Sequence, residues 1–289
     1  MTDETSTIPT IRPLIISAPF GNYIQPEGTT PTLGTFTAAR RGGVINRVWR
    51  VLLTVRYYRK AKAWVNKIGL RNPGIDWLVA RCSAGKIDVS DKLVSIHGFT
   101  ADDWYTLLEK TAALKPLAIE LNMSCPNVGY ITWPPGLFQR AHDTGIPVVV
   151  KIPPVNYDTM VEQAYAAGLR MLHCCNTLPN PGGGMSGKPL MAVALQCIQD
   201  LRRKPYFDEL TIIGGGGIYD AADVDAYAEL GVKHAALGTK VMNPKYLFSD
   251  SGITRIKARA HERLNNVAVS ASPPASSSIQ AYADGEPER

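Results

Sequence analysis

Eight short apolar runs, most of them separated by stretches of helical periodicity, constrain this chain more than any other feature. They fall at residues 14–16, 33–37, 93–96, 117–121, 148–151, 171–175, 210–213 and 235–237. Runs that are apolar throughout and bounded by turn residues fit strands covered on both faces, as in a parallel sheet. One helical pattern opens at Thr100 with an N-cap hydroxyl and the acids Asp102 and Asp103, and turns Leu107, Leu108 and Ala112 inward. Others cover 157–167, 189–203, 220–230 and 253–264, with Gly168 and Gly231 as stops. Eight strands, six clearly alternating with helices, predict the α/β class and a single-domain (β/α)8 TIM barrel. A doubly wound sheet is the alternative. It would place a glycine fingerprint after its first strand, whereas the glycine clusters here come late, at 182–187 and 214–217.

Two irregularities mark the first quarter of the barrel. The first crossover is shortened to about a dozen residues, too few for a full helix. The second and third strands are instead separated by a long basic, aromatic insert, read as hairpin-like. Residues 1–10 form a polar N-terminal tail, 11–264 the barrel, and 265–289 a Ser-, Ala- and Pro-rich tail expected to be disordered. With both tails set aside, the remaining length is that of one barrel.

The net charge of +6 is local. Between Arg40 and Lys62 there are eight basic residues and no acid, which leaves 23 basic residues elsewhere against 25 acids. Such a segment, with no recognisable nucleic-acid module around it, predicts no nucleic-acid partner. The bland reading of residues 44–64 is a twisted hairpin with a solvated basic face. The sharper alternative is weak peripheral contact with acidic lipid, or a surface for a partner subunit. No apolar run approaches the length of a membrane span, and residues 1–10 lack a basic-then-apolar layout, so neither a span nor a secretory signal is expected. Five cysteines, with Cys174 and Cys175 adjacent in one strand, do not form a disulfide framework and point to a reducing, cytoplasmic home. Their spacing gives no iron–sulfur site, and no metal site is expected.

In a barrel of this kind, functional groups stand at the C-terminal ends of the strands. The fourth strand is followed by Asn122-Met-Ser-Cys-Pro-Asn127, the fifth ends in Lys151-Ile-Pro-Pro154, and the sixth gives Asn176-Thr177 and the loop Gly182 to Lys188. The seventh and eighth supply Gly214 to Gly217 and Gly238-Thr239. Glycines let backbone N–H groups approach an anion, and the helix that follows adds its dipole, so these last two loops fit a phosphate.

Together these motifs resemble the dihydroorotate dehydrogenase family, barrels that hold flavin mononucleotide (FMN) and oxidise dihydroorotate to orotate in de novo pyrimidine biosynthesis. The resemblance runs from about Thr35 to Pro244. Its most specific element is the Asn122 to Asn127 loop. Val150-Lys-Ile-Pro-Pro154, Asn176-Thr177, Ile213 to Ile218 and Leu237-Gly-Thr239 follow in order, and Asn66-Lys-Ile-Gly-Leu-Arg-Asn72 is similar to the family's substrate stretch. The resemblance implies that Cys125 is the base for the C5 proton, as in the soluble class, and that FMN accepts the hydride from C6. Lys151 is implied beside the flavin, where a cation stabilises the negative charge of reduction. Asn66, Asn122, Asn127 and Asn176, whose carboxamides match the edge of a pyrimidine dione, are implied to bind substrate with Ile68, Gly69, Leu70 and Thr177. Ala18, Thr37, Asn122, Lys151, Gly187, Gly216, Gly217, Gly238 and Thr239 are the implied FMN contacts. Cys82, Cys174, Cys175 and Cys197 are read as structural.

One departure is plain. In Thr35-Phe-Thr-Ala-Ala-Arg40 alanines occupy the place of the family's lysine, and Arg40 and Arg41 are the candidate replacements. Two alternatives to dihydroorotate oxidation therefore stand: an FMN-dependent oxidoreductase of this family with a different small substrate, and a catalytically weakened barrel used as a binding or scaffold protein. Fumarate, NAD through a partner subunit, and quinone are all open as electron acceptor. A homodimer is the default assembly.

Overall fold

The computed structural model describes residues 10–42, 53–67, 69–123, 133–180, 183–264 and 267–268. All eight apolar runs become strands of a closed parallel barrel. In chain order they are β2 (Leu14–Ile16), β3 (Thr30–Phe36), β6 (Leu93–Ile96), β7 (Ala118–Asn122), β8 (Val148–Lys151), β9 (Met171–Cys174), β12 (Thr211–Gly215) and β13 (His234–Leu237). Neighbours around the barrel follow this order, and β13 closes on β2 through Ala235–Leu14, Ala236–Ile15 and Leu237–Ile16. The predicted (β/α)8 architecture is therefore the observed one.

Helices α1 (Ile75–Ser83), α2 (Ala101–Ala113), α3 (Leu137–His142), α4 (Asp158–Ala166), α5 (Pro189–Leu201), α6 (Ala221–Ala228) and α7 (Thr254–Arg263) are the described helices of the outer layer. Helix α2 starts as its sequence predicts, with the Thr100 hydroxyl accepting from Asp103 N at 3.1 Å. At α6 the Asp220 and Asp223 side chains cap each other's backbone N–H groups in a reciprocal box. Alternate strand residues divide between two apolar clusters. Ile119, Leu121, Val150 and Leu172 face the helices. Ile15, Leu93, Ala118, Val149, Ile213 and Ala236 fill the lower barrel. This division is what a pleated strand buried on both faces requires.

The shortened first crossover is a single 3-10 turn, Phe20–Asn22. It lies directly on the barrel wall: a Cβ at Gly21 would come within 2.4 Å of Thr32 O. Asn22 ties the turn down, donating to Gly34 O at 2.9 Å and accepting from Gly34 N at 3.1 Å.

The described part of the basic insert is a hairpin of β4 (Arg56–Tyr58) and β5 (Ala63–Asn66). The hairpin does not stand alone. β5 pairs with β11 (Gly183–Gly187), which pairs with β10 (Leu178–Asn180), giving a four-stranded antiparallel sheet. The glycine-rich loop that the sequence predicts between the sixth strand and its helix is thus half of a small sheet. At the far end, β1 (Thr10–Ile11) pairs with β14 (Val267–Ala268). Thr10 of the N-terminal segment and two residues of the C-terminal segment are thus paired in one short ladder.

Candidate active site

Above the apolar plug the barrel interior becomes polar, and the strand register dictates which groups meet. Asn122, Lys151 and His173 are lateral neighbours on three adjacent strands, and Glu120 sits one pleat below Asn122. Glu120 is fully buried, and its Oε2 accepts from His173 Nδ1 at 2.8 Å while its Oε1 lies 3.8 Å from Lys151 Nζ. Burial works to raise the Glu120 carboxyl, but the Lys151 charge and the His173 N–H outweigh it and hold the group at about 2. Burial and the same lysine lower His173, which leaves a neutral imidazole donating from Nδ1. Gly215 makes room for this ring, since a Cβ there would come within 2.9 Å of His173 Nε2.

A chain of hydrogen bonds runs across the floor beside this ion pair. Asn176 Nδ2 donates to Asn122 Oδ1 at 2.9 Å, and Asn122 Nδ2 donates to Thr35 Oγ1 at 2.9 Å. Thr35 shares a further bond of 2.9 Å with Ser95. His97, lowered by burial and hence neutral, donates from Nδ1 to Asn122 O at 2.8 Å. Asn122 is therefore fixed through both its side chain and its backbone.

Above the floor opens a cavity of about 870 Å³ at the C-terminal end of the barrel. It is bordered by Ala18 on the first crossover, by Asn66, Gly69 and Leu70, and by Asn122, Lys151, Asn176 and Thr177. Gly216, Gly217, Gly238 and Thr239 complete the predicted residues found there. Gly216 (φ +123°) and Gly217 (φ +70°) follow β12 in backbone conformations that favour glycine. A Cβ on Gly217 would meet the Met191 Cβ at 2.7 Å. Asn66 of β5 and Ser186 of β11 bring the small sheet in as one wall.

Two predicted contacts are placed elsewhere. The Thr37 hydroxyl donates to Ala39 O at 2.7 Å and accepts from Asn72 Nδ2 at 3.0 Å, outside the cavity lining. Thr35, two residues earlier, takes its place there. Gly187 (φ +105°) serves the small sheet, where a Cβ would come within 2.3 Å of Lys62 O. Cys125, Asn127 and Ile68 lie outside the described residues. Cys174 and Cys197 are buried, Cys82 is half-buried, and Cys175 is buried but borders the cavity. Burial raises the thiols of Cys174 and Cys175, so neither is held as a thiolate.

The sequence reading missed Glu120, His173, Asn72 and Arg71. Glu120 and His173 each left a signal: a polar residue inside an apolar strand run, at the inward parity of the pleat. Asn72 staples the 69–73 segment to the end of β3. Its Oδ1 accepts from Thr37 N (3.1 Å) and Gly74 N (2.9 Å), and its Nδ2 donates to Leu70 O (2.8 Å). Arg71 borders the cavity beside Arg40 and Arg41.

With this geometry in hand, the chain can be set beside known proteins. The sequence profile of the dihydroorotate dehydrogenase family matches residues 53–257. The chain belongs to the dihydroorotate dehydrogenase family. Family members are flavoprotein oxidoreductases of pyrimidine biosynthesis that act on a CH–CH donor and depend on FMN.

Among similar proteins is the catalytic subunit of dihydroorotate dehydrogenase B (NAD(+)) from Halalkalibacterium halodurans. It is 31% identical over 222 residues, covering 67% of this chain and 72% of that one. The same subunit from Desulforudis audaxviator is 31% identical over 209 residues, 62% of this chain and 67% of that one. The fold matches the ligand-free crystal structure of a DHODH from Eimeria tenella with a TM-score of 0.66 at 18% identity, over 86% of this chain and 82% of that one.

The cavity fits the family's cofactor. Its volume suits a flavin together with a small ligand, glycine turns at two adjacent strand ends offer backbone N–H groups to a phosphate, and Lys151 provides a buried cation on the floor. Among the described residues no helix is long and apolar enough to cross a membrane, and no cluster of His, Cys, Asp and Glu could hold a metal.

Proposed function

We propose that this protein oxidises dihydroorotate to orotate, with FMN held in the cavity at the top of the barrel. One observation carries the reading. Arg40, Arg41, Arg71 and Lys151 line this cavity, and no aspartate or glutamate is among its described lining residues. A site that collects cations and excludes acids suits a phosphorylated cofactor and a carboxylate substrate.

Gly216, Gly217, Gly238 and Thr239 would hold the FMN phosphate, and Lys151 and Asn122 would lie at its ring. When bound, FMN supplies the electron sink that takes the hydride from C6 of the substrate. Lys151 stands on the cavity floor with its Nζ 3.8 Å from the Glu120 carboxylate. Asn66 and Asn176 present amide groups to the cavity, complementary to the alternating donors and acceptors of a pyrimidine dione.

The thiolate of Cys125 takes the proton from C5 and carries it as a thiol. The support for this is positional and chemical: β7 delivers Asn122 to the cavity three residues before Cys125, and a thiolate is a usable base near neutral pH. For the acceptor, the designation of the relatives as catalytic subunits of an NAD(+) enzyme favours NAD(+).

The test uses the flavin's own colour. The purified protein, alone or after addition of FMN, should be yellow, and dihydroorotate should bleach it under anaerobic conditions. Cys125→Ala should keep the colour and lose the bleaching near neutral pH. A yellow protein that dihydroorotate leaves unbleached refutes the assigned substrate, and a protein that stays colourless with FMN refutes the flavin site.

A further inference from the structure

The four cations that line the cavity are not equivalent. Lys151 is paired with the buried carboxylate of Glu120. Arg41 is exposed and lays its guanidinium over the Phe99 ring, 4.3 Å from the centroid. Arg40 is exposed, and its Nε donates to Gly42 O at 3.4 Å. Arg71 differs from all three: its Nε is closed off from water yet has no hydrogen-bond partner among the described residues.

An N–H buried without an acceptor is costly, and on a guanidinium the cost is larger because the group is charged. Such a group in a folded protein calls for an explanation, and a functional role is one; Arg71 borders the cavity, where a bound anion could supply the missing acceptor. The backbone around Arg71 is built to hold it. Leu70 sits at φ +45°, in the left-handed region that a leucine rarely enters. Asn72 fastens the segment on the other side with its bonds to Leu70 O, Thr37 N and Gly74 N. A Cβ on Gly42 would come within 2.8 Å of Arg71 Nη1, so the glycine leaves the space the guanidinium uses.

We propose that Arg71 is the specificity-determining residue that pairs with the substrate's carboxylate, so that the cavity selects an acidic pyrimidine over an uncharged one. This rests on the reading of the cavity as a dihydroorotate site. It transfers to Arg71 the role that the sequence offered to Arg40 or Arg41. A guanidinium presents donors in a planar fork that fits a carboxylate with two parallel bonds, which neither an ammonium nor an arginine already laid on an aromatic face supplies equally.

Binding of orotate and of its uncharged methyl ester to the FMN-loaded full chain separates the outcomes, read from the change each causes in the bound flavin's absorption. Arg71→Met should weaken orotate by about 10- to 100-fold, the range for one charge-assisted contact, and leave the ester unchanged. Arg71→Lys, which keeps the charge but not the fork, should fall between parent and Arg71→Met for orotate. Orotate affinity unchanged in Arg71→Met overturns the proposal. So does an equal loss for orotate and ester, because Arg71 would then shape the cavity without reading charge. Flavin content and far-UV circular dichroism report whether Arg71→Met is folded, and Arg71→Lys carries the same comparison if it is not. Failure of the parent protein to bind orotate at all refutes the dihydroorotate reading itself, a result distinct from any confined to the variants.

Discussion

Replacing Lys151 with methionine keeps the length of the side chain and removes the charge that faces Glu120. The two groups are 3.8 Å apart, with side-chain exposures of 6% and 0%. At that separation and an effective dielectric of about 20, two unit charges attract by about 4 kcal/mol. Removing one member of a buried pair costs about 3–5 kcal/mol, since the other charge is left in a low-dielectric site. His173 still donates to Glu120 at 2.8 Å, so the expected loss lies toward the lower end, about 3 kcal/mol.

The pH dependence gives this reasoning a sign. In the parent the Glu120 carboxyl is held at about 2, against 4.5 in an unfolded chain. Its contribution is therefore fully present above pH 4.5 and is lost as the pH falls toward 2. In Lys151→Met burial is no longer outweighed by the lysine and the carboxyl rises. The gap between parent and variant should then narrow on acidification.

Urea unfolding followed by tryptophan fluorescence, at neutral pH and under mildly acidic conditions, measures both quantities. Adding Glu120→Gln to Lys151→Met should restore most of the loss, because a neutral amide needs no counter-ion. A difference below about 1 kcal/mol at neutral pH, close to the scatter of surface substitutions, would refute the claim that Lys151 holds Glu120 charged.

Two further predictions concern the scaffold of the site. Asn72→Ala removes the four side-chain bonds, to Thr37 N, the Thr37 hydroxyl, Leu70 O and Gly74 N, that fasten the 69–73 segment, and should cost about 2 kcal/mol of stability while raising the KM for dihydroorotate more than it lowers kcat; steady-state kinetics that show both parameters changed by the same factor would contradict it. Burial pushes the His234 imidazole down to about 4 from its usual 6.5, so the folded chain keeps it neutral while the unfolded chain protonates it. The resulting stability is complete above pH 6.5 and declines as the pH drops toward 4, by up to about 3 kcal/mol. His234→Leu should flatten that slope in urea titrations.

The fold was legible because a buried parallel strand writes itself as a continuous apolar run. All eight runs became barrel strands, with end shifts of up to a few residues, and the helix start at Thr100 followed from its cap. What escaped was long-range pairing. The Gly183–Gly187 segment reads as a flexible loop, yet it is a strand because the hairpin from the basic insert supplies an edge for it, 118 residues earlier in the chain at Asn66 and Gly184. Residues 267–268 similarly pair with residues 10–11.

Among the motif residues that reach the cavity, Asn122 and Lys151 stand at strand ends, where the pleat determines direction. Thr37 and Gly187 lie where local bonding to Asn72 and Lys62 decides their direction instead. The basic segment between Arg40 and Lys62 suggested that Arg40 or Arg41 would meet the substrate. Sequence distance cannot tell a solvated arginine from one with a shut-in N–H, because that difference depends on what packs around each guanidinium.

By itself, then, the sequence determined the barrel, the strand ends that carry chemistry and the family the chain resembles. Each of these is written in local periodicity or in contiguous motifs. The tertiary structure alone decided that Glu120 and His173 balance Lys151 beneath the cavity, and that Arg71 rather than its neighbours carries a buried donor unanswered among the described residues. Both are facts about burial, and burial belongs to groups brought together from distant parts of the chain.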